Sequence, residues 1–417
     1  MDEDKLTIKN SMIWNSLGSM VYLIALWLCS IIIVRISGYG AAGVFSLALS
    51  ISNTTQSIAL AGVRNYQISD INNRFSADTY VMTRYITSAI SMLVVIGVAV
   101  GGDYTVLETM SIIAMGLYKI IDAVVDVYQG ILQKAWRLDV VGKSLIIRGI
   151  SVVLAFSVIL YFTDNVFWAI IGMAVISEII FRLLEYRYSM KVEKLDIVKK
   201  INWEDIKKLL IVSLPLLIYT SILNTYATVP RMILQWKDGQ EALGIYASVA
   251  TPTVFVQVAA TYIFTPLIAV FAKHYMDSNL QKFNSLLFKC IASIIGIILL
   301  AIVVCIFLGD LGLGILFGKD IIQYSYLLIP TICVTGIMAL VLFLCMILTI
   351  FRKLSSLVWT NIVGIIICVL LSFWQISSNG MQGVNYSLII SLLTLVGILS
   401  CIIIRTETKI YQDSNKI

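Results

Sequence analysis

Ser46, Ser50, Asn53, Ser57 and Arg64 recur at steps of four, three, four and seven inside an otherwise apolar stretch. On a helix, at 100° per residue, that spacing keeps all five within about 60° of one another. A second row, Ser213, Thr220, Asn224, Thr228 and Arg231, repeats the pattern, and Thr253, Gln257 and Thr261 form a shorter third. Hydroxyls and amides cut no bonds, but they replace water around a polar solute. Interhelical contacts in a membrane are worth about 0.6 kcal/mol each and need only single Ser or Thr residues. Rows of five members therefore point to a water-filled cavity lined by Ser46, Ser50, Asn53, Ser57, Thr220, Asn224, Thr228 and Gln257.

The ionisable residues add charge to that lining. Arg231 lies on a polar face directly after Pro230, which frees a backbone carbonyl and can bend a helix. A cation near the centre of a membrane helix costs about 2.5 to 3.5 kcal/mol on insertion scales, so Arg231 calls for a partner or an anionic ligand. Lys119 and Asp122 are three apart and able to pair, on a stretch that also carries Glu108, Ser111, Asp126 and Gln129. Glu178, Arg182 and Glu185, at spacings of four and three, share one face. These sets read equally as ion pairs within the protein or as function. In the functional reading Arg231, Lys119, Arg64 and Arg35 form a cationic lining, and Asp122 or Glu178 binds a proton or sodium ion. Arg35 ends its span facing away from Asn15, Ser19 and Tyr22, which suits snorkelling nearly as well.

The elements that carry these residues are membrane spans. Hydrophobic residues make up 59% of the 417 residues and charged ones 13%, against about 25% in ordinary soluble proteins, and mean hydropathy is +0.93. Requiring about 20 mostly apolar residues per crossing gives spans near 12 to 34, 41 to 63, 80 to 101, 105 to 129, 140 to 162 and 165 to 187. Six more lie near 209 to 236, 241 to 270, 283 to 308, 322 to 350, 354 to 376 and 381 to 404. The first is too long for a signal-peptide core and reads as a retained span. With both termini cytoplasmic, the count leaves Arg35, Lys237 and Lys319 outside and Lys119 and Arg231 within spans. It assigns the rest of the 30 basic residues to inner segments, as the positive-inside rule requires.

The segment from Tyr188 to Lys208, with Lys191, Lys194, Lys199, Lys200, Lys207 and Lys208, divides the chain into halves, 1–208 and 209–417. Ile197, Ile201, Trp203, Ile206 and Leu210 suggest that part of it is an interfacial helix resting on membrane lipids. All five prolines fall in the second half, which would concentrate bending there. The seven cysteines are scattered without a CxxC pair or a nearby histidine, so neither a metal nor a disulfide framework is expected. His274, the single histidine, reads as a surface residue. The net charge of +6 reflects inner loops rather than nucleic-acid binding. No loop offers the paired carboxylates or histidine of a membrane enzyme, and no cofactor is implied.

The turn Gly40-Ala41-Ala42-Gly43-Val44-Phe45 and the turn Gln240-Glu241-Ala242-Leu243-Gly244-Ile245-Tyr246 each open a helix after an outward span, one in each half. Two parallel repeats would form two facing lobes with a substrate between them. With Trp14-Asn15, Arg35-Ile36-Ser37-Gly38, Leu60-Ala61-Gly62-Val63-Arg64, Arg231, Gly239 and Phe317-Gly318-Lys319, the chain resembles the polysaccharide flippases, the Wzx-type translocases of the multidrug, oligosaccharidyl-lipid and polysaccharide exporter superfamily. Ser37 stands where that family often has Leu.

The resemblance implies an all-α integral membrane protein of about 12 transmembrane helices in two six-helix lobes related by a pseudo-two-fold axis. It implies a flippase without covalent chemistry that carries undecaprenyl-pyrophosphate-linked oligosaccharide to the outer leaflet of a bacterial cytoplasmic membrane. Such transport serves O-antigen, capsule or exopolysaccharide synthesis, with a proton or sodium gradient and a polysaccharide polymerase as partners. The rival is an ion-coupled multidrug or small-molecule exporter of the same superfamily, whose cationic substrates would prefer acidic and aromatic lining; Arg64, Arg231 and Lys119 point the other way.

Overall fold

The computed structural model describes residues 8–70, 74–195, 202–277 and 279–414, and among them every regular element is helical. Helix α1 spans Ile8–Leu60, α2 Val63–Ser69, α3 Ala77–Gly101, α4 Val106–Lys134, α5 Leu138–Thr163 and α6 Val166–Phe181. A π-helical turn, Arg182–Tyr186, leads into α7 at Arg187–Val192. Then come α8 Trp203–Phe264, α9 Ile268–Met276, α10 Leu280–Phe317, α11 Leu328–Ile350, α12 Leu354–Asn379 and α13 Met381–Ser414. By packing, the chain divides into Met1–Asn224 and Thr225–Ile417.

Nine helices among the described residues are long and apolar enough to cross a membrane. Two of them, α1 and α8, each contain one non-helical residue, Gly38 at φ 80°, ψ −176° and Gly239 at φ 84°, ψ −179°. Each therefore folds as two spans. Helix α4, with Glu108, Lys119, Asp122 and Asp126 along it, is too polar for that apolar count yet long enough to cross. Counting the broken helices twice and adding α4 gives the twelve crossings expected from hydropathy.

Gly38 and Gly239 precede Gly43 and Gly244 by the same interval, so the sequence repeat has a backbone counterpart in two near-identical breaks. Their dihedrals lie in a region open essentially to glycine alone. A Cβ at Gly38 would meet nothing within 4 Å, so Gly38→Ala adds backbone strain without a clash. Its expected cost is about 1 to 3 kcal/mol, read as a lower melting temperature in detergent. Gly40→Ala, equally unobstructed but inside the helix, should be neutral or stabilising. Pro215, Pro230 and Pro252 lie inside α8, whose one non-helical residue is Gly239, and Pro266 sits in a 3₁₀ turn, Thr265–Leu267.

In the first unit α1 packs on α5 through glycines. A Cβ on Gly18 would come 2.3 Å from the carbonyl oxygen of Gly142, and one on Gly149 would come 3.2 Å from Cα of Tyr22. Backbones this close let short contacts form between α1 and α5, and they set Tyr22 beside Arg148. Helix α4 starts with a capping box in which the Thr105 side chain accepts from the Glu108 amide and Glu108 from the Thr105 amide. Within the linker, 196–201 lies outside the described residues, as do Ile197, Lys199, Lys200 and Ile201 of the expected interfacial helix. Trp203, Ile206 and Leu210 belong to the start of α8, with Trp203 exposed and Ile206 buried.

Candidate functional site

One face of α4 presents Lys119, Asp122, Asp126, Gln129 and Gln133 to the interior of the first unit, and two polar clusters form on it. In the first, Asp122 accepts from the Tyr22 hydroxyl at 2.8 Å on both carboxylate oxygens. Tyr118 and Tyr22 share a hydrogen bond of 2.6 Å. Since Tyr22 gives its proton to Asp122, Tyr118 donates to Tyr22, and the two hydroxyls form a relay ending on the carboxylate. Arg148, 3% exposed, lies 3.3 Å from Asp122 and stacks 4.9 Å from the Tyr22 ring. The expected Lys119–Asp122 pair gives way to this arrangement, because α5 delivers a guanidinium to the carboxylate. Lys119, 7% exposed, contacts the Tyr118 ring at 5.9 Å and makes no ion pair among the described residues.

The second cluster centres on Asp126. It bridges Arg64 and Arg84 at 2.8 Å each, and Arg64 also donates to Gln129 at 3.3 Å and Gln133 at 2.9 Å. Gln129 in turn donates to Oε1 of Glu185 at 3.3 Å. The π-helical turn explains why Glu185 is there. An extra residue in one turn rotates the helix, so Glu185 points inward and is fully buried while Glu178 and Arg182 pair with each other on the outside at 2.6 Å. The shared face expected for Glu178, Arg182 and Glu185 is corrected accordingly. Together the two clusters set Arg64, Arg84, Lys119 and Arg148 against Asp122, Asp126 and Glu185, leaving a positive excess.

Arg64 opens onto a cavity of about 450 Å³. Ser57, Asn65, Asp126, Thr220 and Asn224 line it with Arg64, and Leu60, Gly62, Ile68 and Leu216 complete the wall. Four members of the predicted rows, Ser57, Arg64, Thr220 and Asn224, are thus brought together. Asn224 donates to Oγ of Ser57 at 2.6 Å and to the Asn53 carbonyl at 3.4 Å. Ser46 and Ser50 are buried, and Asn53 is half-buried. The hydroxyl of Thr220 bonds the Leu216 carbonyl one turn back, a common way for Ser and Thr to satisfy themselves in apolar helices. Arg35 is exposed just before the Gly38 break. In the second unit Thr228 is buried, Gln257 and Arg231 are half-buried, and Arg231 interacts electrostatically with Tyr246, whose hydroxyl donates to Asn385 at 3.1 Å.

Arg84 and Arg148 were not anticipated. Both lie within the spans expected at 80 to 101 and 140 to 162, so the criterion that singled out Lys119 and Arg231 applies to them equally. Assigning them to inner loops hid them, and the structure buries both.

Outside the membrane helices, Asp70 holds the turn before α3. Its carboxylate accepts from the amides of Arg74 at 2.8 Å and Phe75 at 3.0 Å and from the Tyr80 hydroxyl at 2.9 Å. Partial burial pushes its pKa up, but the Phe75 and Arg74 amides, the Tyr80 hydroxyl and nearby Lys134 together hold it below the usual carboxylate value. A depressed folded-state pKa means that its contribution is present above the unfolded value of about 3.9 and is lost as pH falls through the folded one. Protection of the Arg74 and Phe75 amides against hydrogen exchange, taken relative to their intrinsic rates, should therefore fall below about pH 4. Asp70→Asn should remove that acid dependence.

Residues 8–275 match the family model of polysaccharide biosynthesis proteins. The chain is 24% identical over 306 residues to the capsular polysaccharide biosynthesis protein CapF of Staphylococcus aureus, covering 73% of this chain and 76% of that one. Its fold is similar to that of the lipid II flippase MurJ in an inward closed conformation, with TM-score 0.74 and 11% identity over 96% of this chain and 90% of the other. It is also similar to an inward-facing multidrug resistance MATE family transporter of the MOP superfamily, with TM-score 0.64 and 13% identity over 96% and 94% of the two chains. At these identities the structural likeness is one of fold, that of multi-pass membrane transporters. The sequence match extends over well more than half of the chain, which therefore belongs to the polysaccharide biosynthesis protein family.

Proposed function

We propose that this protein is a lipid-linked oligosaccharide flippase. It moves undecaprenyl-pyrophosphate-bound repeat units from the cytoplasmic to the outer leaflet of a bacterial inner membrane, for capsule, O-antigen or exopolysaccharide synthesis. The observation that carries this reading is the cavity in which Arg64 stands among Ser57, Asn65, Thr220 and Asn224. A pyrophosphate with its sugars loses water without replacement in hydrocarbon. Amides and hydroxyls replace that water, and guanidinium or ammonium groups give charge-assisted bonds to phosphate oxygens. The polyprenyl tail stays in lipid while the cavity opens alternately to either side, and no covalent step is needed. Family membership and the likeness to a lipid II flippase support the same reading.

Asp122 is the coupling carboxylate in this proposal, since its side chain is 10% exposed and the Tyr118–Tyr22 relay ends on it, whereas Glu178, the other candidate, pairs with Arg182 on the outside of its helix. The fold likeness to a multidrug transporter favours a second reading, export of small molecules. Transport in proteoliposomes with an imposed proton or sodium gradient separates the two. A defined lipid-linked oligosaccharide should cross faster than in protein-free vesicles, and an Asp122→Asn, Glu178→Gln double variant should no longer respond to the gradient. Movement of cationic dyes with no movement of the lipid-linked sugar would replace this function with the second.

A further inference from the structure

Asp126 joins two guanidinium groups that live in unlike surroundings. Arg84 is fully buried and anchored a second time by Nη1 donating to the Ala59 carbonyl at 2.6 Å. Arg64 lines the cavity, with 25% of its side chain exposed. Only the Arg64 end of the bridge is placed to let go. When it does, Arg84 still compensates Asp126, so no buried charge is stranded. Gln129 and Gln133, neutral acceptors for the Arg64 guanidinium, keep it tethered to α4 while its charged partner changes.

Carboxylate and phosphate oxygens offer a guanidinium fork the same kind of acceptor pair. From this geometry we infer that Asp126 is an internal competitor for the anion-binding arginine. It holds Arg64 while the cavity is empty, is displaced when phosphate oxygens arrive, and reclaims Arg64 as they leave. Arg84 is the positioning residue that lets Asp126 give up one partner and remain a carboxylate. A cavity with Arg64 unopposed would bind an anion more tightly and release it more slowly, which is a fault in a carrier. The inference takes its anionic cargo from the flippase reading and adds to it a means of release.

Calorimetric titration of the purified full-length chain with inorganic pyrophosphate, at fixed ionic strength, tests it. Asp126→Asn is expected to tighten binding roughly tenfold, and Arg84→Gln, which leaves Asp126 with Arg64 as its charged partner, to weaken it. Either single change upsets buried charges and endangers folding. The double variant Arg84→Met, Asp126→Asn removes both partners of the buried pair, spares Arg64, and should bind as tightly as Asp126→Asn. Arg64→Gln should lose binding. If Arg64→Gln loses binding but neither Asp126→Asn nor the double variant gains any, the competitor role is overturned while an anionic cargo stands. If no form binds pyrophosphate, both ideas go.

Discussion

Lys119→Met is expected to abolish surface polysaccharide, by tenfold or more on the scale of about 1.4 kcal/mol per decade, while the protein melts at the same or a higher temperature. Most functional losses in a membrane protein follow from lost folding; here the two should move in opposite directions. Lys119 is 7% exposed on α4, and an ammonium near a helix centre costs about 2.5 to 3.5 kcal/mol on insertion scales. The carboxylate one turn away is already engaged by Arg148, Tyr22 and, through Tyr22, Tyr118. What remains for Lys119 is attraction to that already paired carboxylate, opposed by Arg148, and the Tyr118 ring at 5.9 Å, which offset part of that cost only. Methionine fills a similar volume without the charge, and a gain of about 1 kcal/mol is the ordinary size for relieving strain of this kind at a functional position. The experiment pairs polymer staining with the abundance and melting temperature of the variant. Normal polymer, or polymer and abundance falling in parallel, would remove Lys119 from the cargo path.

How far the sequence revealed this site depended on whether a signal was local. Ser46 to Ser57 lie on the continuous second part of α1, where a 3.6-residue period holds, but the step on to Arg64 crosses a left-handed turn at Ala61 and Gly62 and places Arg64 on α2. Ser57 and Arg64 meet at the cavity through that turn rather than along one helical face. Glu185 was misplaced because the same period was carried through Arg182–Tyr186, where the helix adds a residue per turn. Spacing along α4 suggested that Lys119 would meet Asp122. The pairing that forms depends on Gly142 and Gly149 letting α5 approach α1, a contact between segments more than a hundred residues apart that no local pattern contains. The twin turns were visible as a repeated motif. That each carries a glycine with nearly the same dihedrals was not, since φ and ψ leave no mark beyond the glycine itself.

The Arg148–Asp122 pair gives the largest stability effect expected in the molecule. Arg148→Met leaves Asp122, 10% exposed, with two tyrosine hydroxyls nearby and no cation paired to it, and removing one partner of a buried pair typically costs about 3 to 5 kcal/mol. Asp122→Leu alone strands Arg148, 3% exposed, whose Nε has no hydrogen-bond partner among the described residues. The double variant Arg148→Met, Asp122→Leu removes both charges and should recover most of the loss, because a buried ion pair and an apolar pair of similar volume are often near equal in stability. Melting temperatures of the four proteins in one detergent form a double-mutant cycle. A double variant as unstable as the sum of the singles would mean that the two residues act independently, against the 3.3 Å contact. Recovery of folding without recovery of gradient-driven transport would separate the structural role of Asp122 from the coupling role proposed for it: an apolar pair can replace the ion pair, but only a group that takes up and releases a proton or sodium ion can couple to a gradient, and leucine cannot.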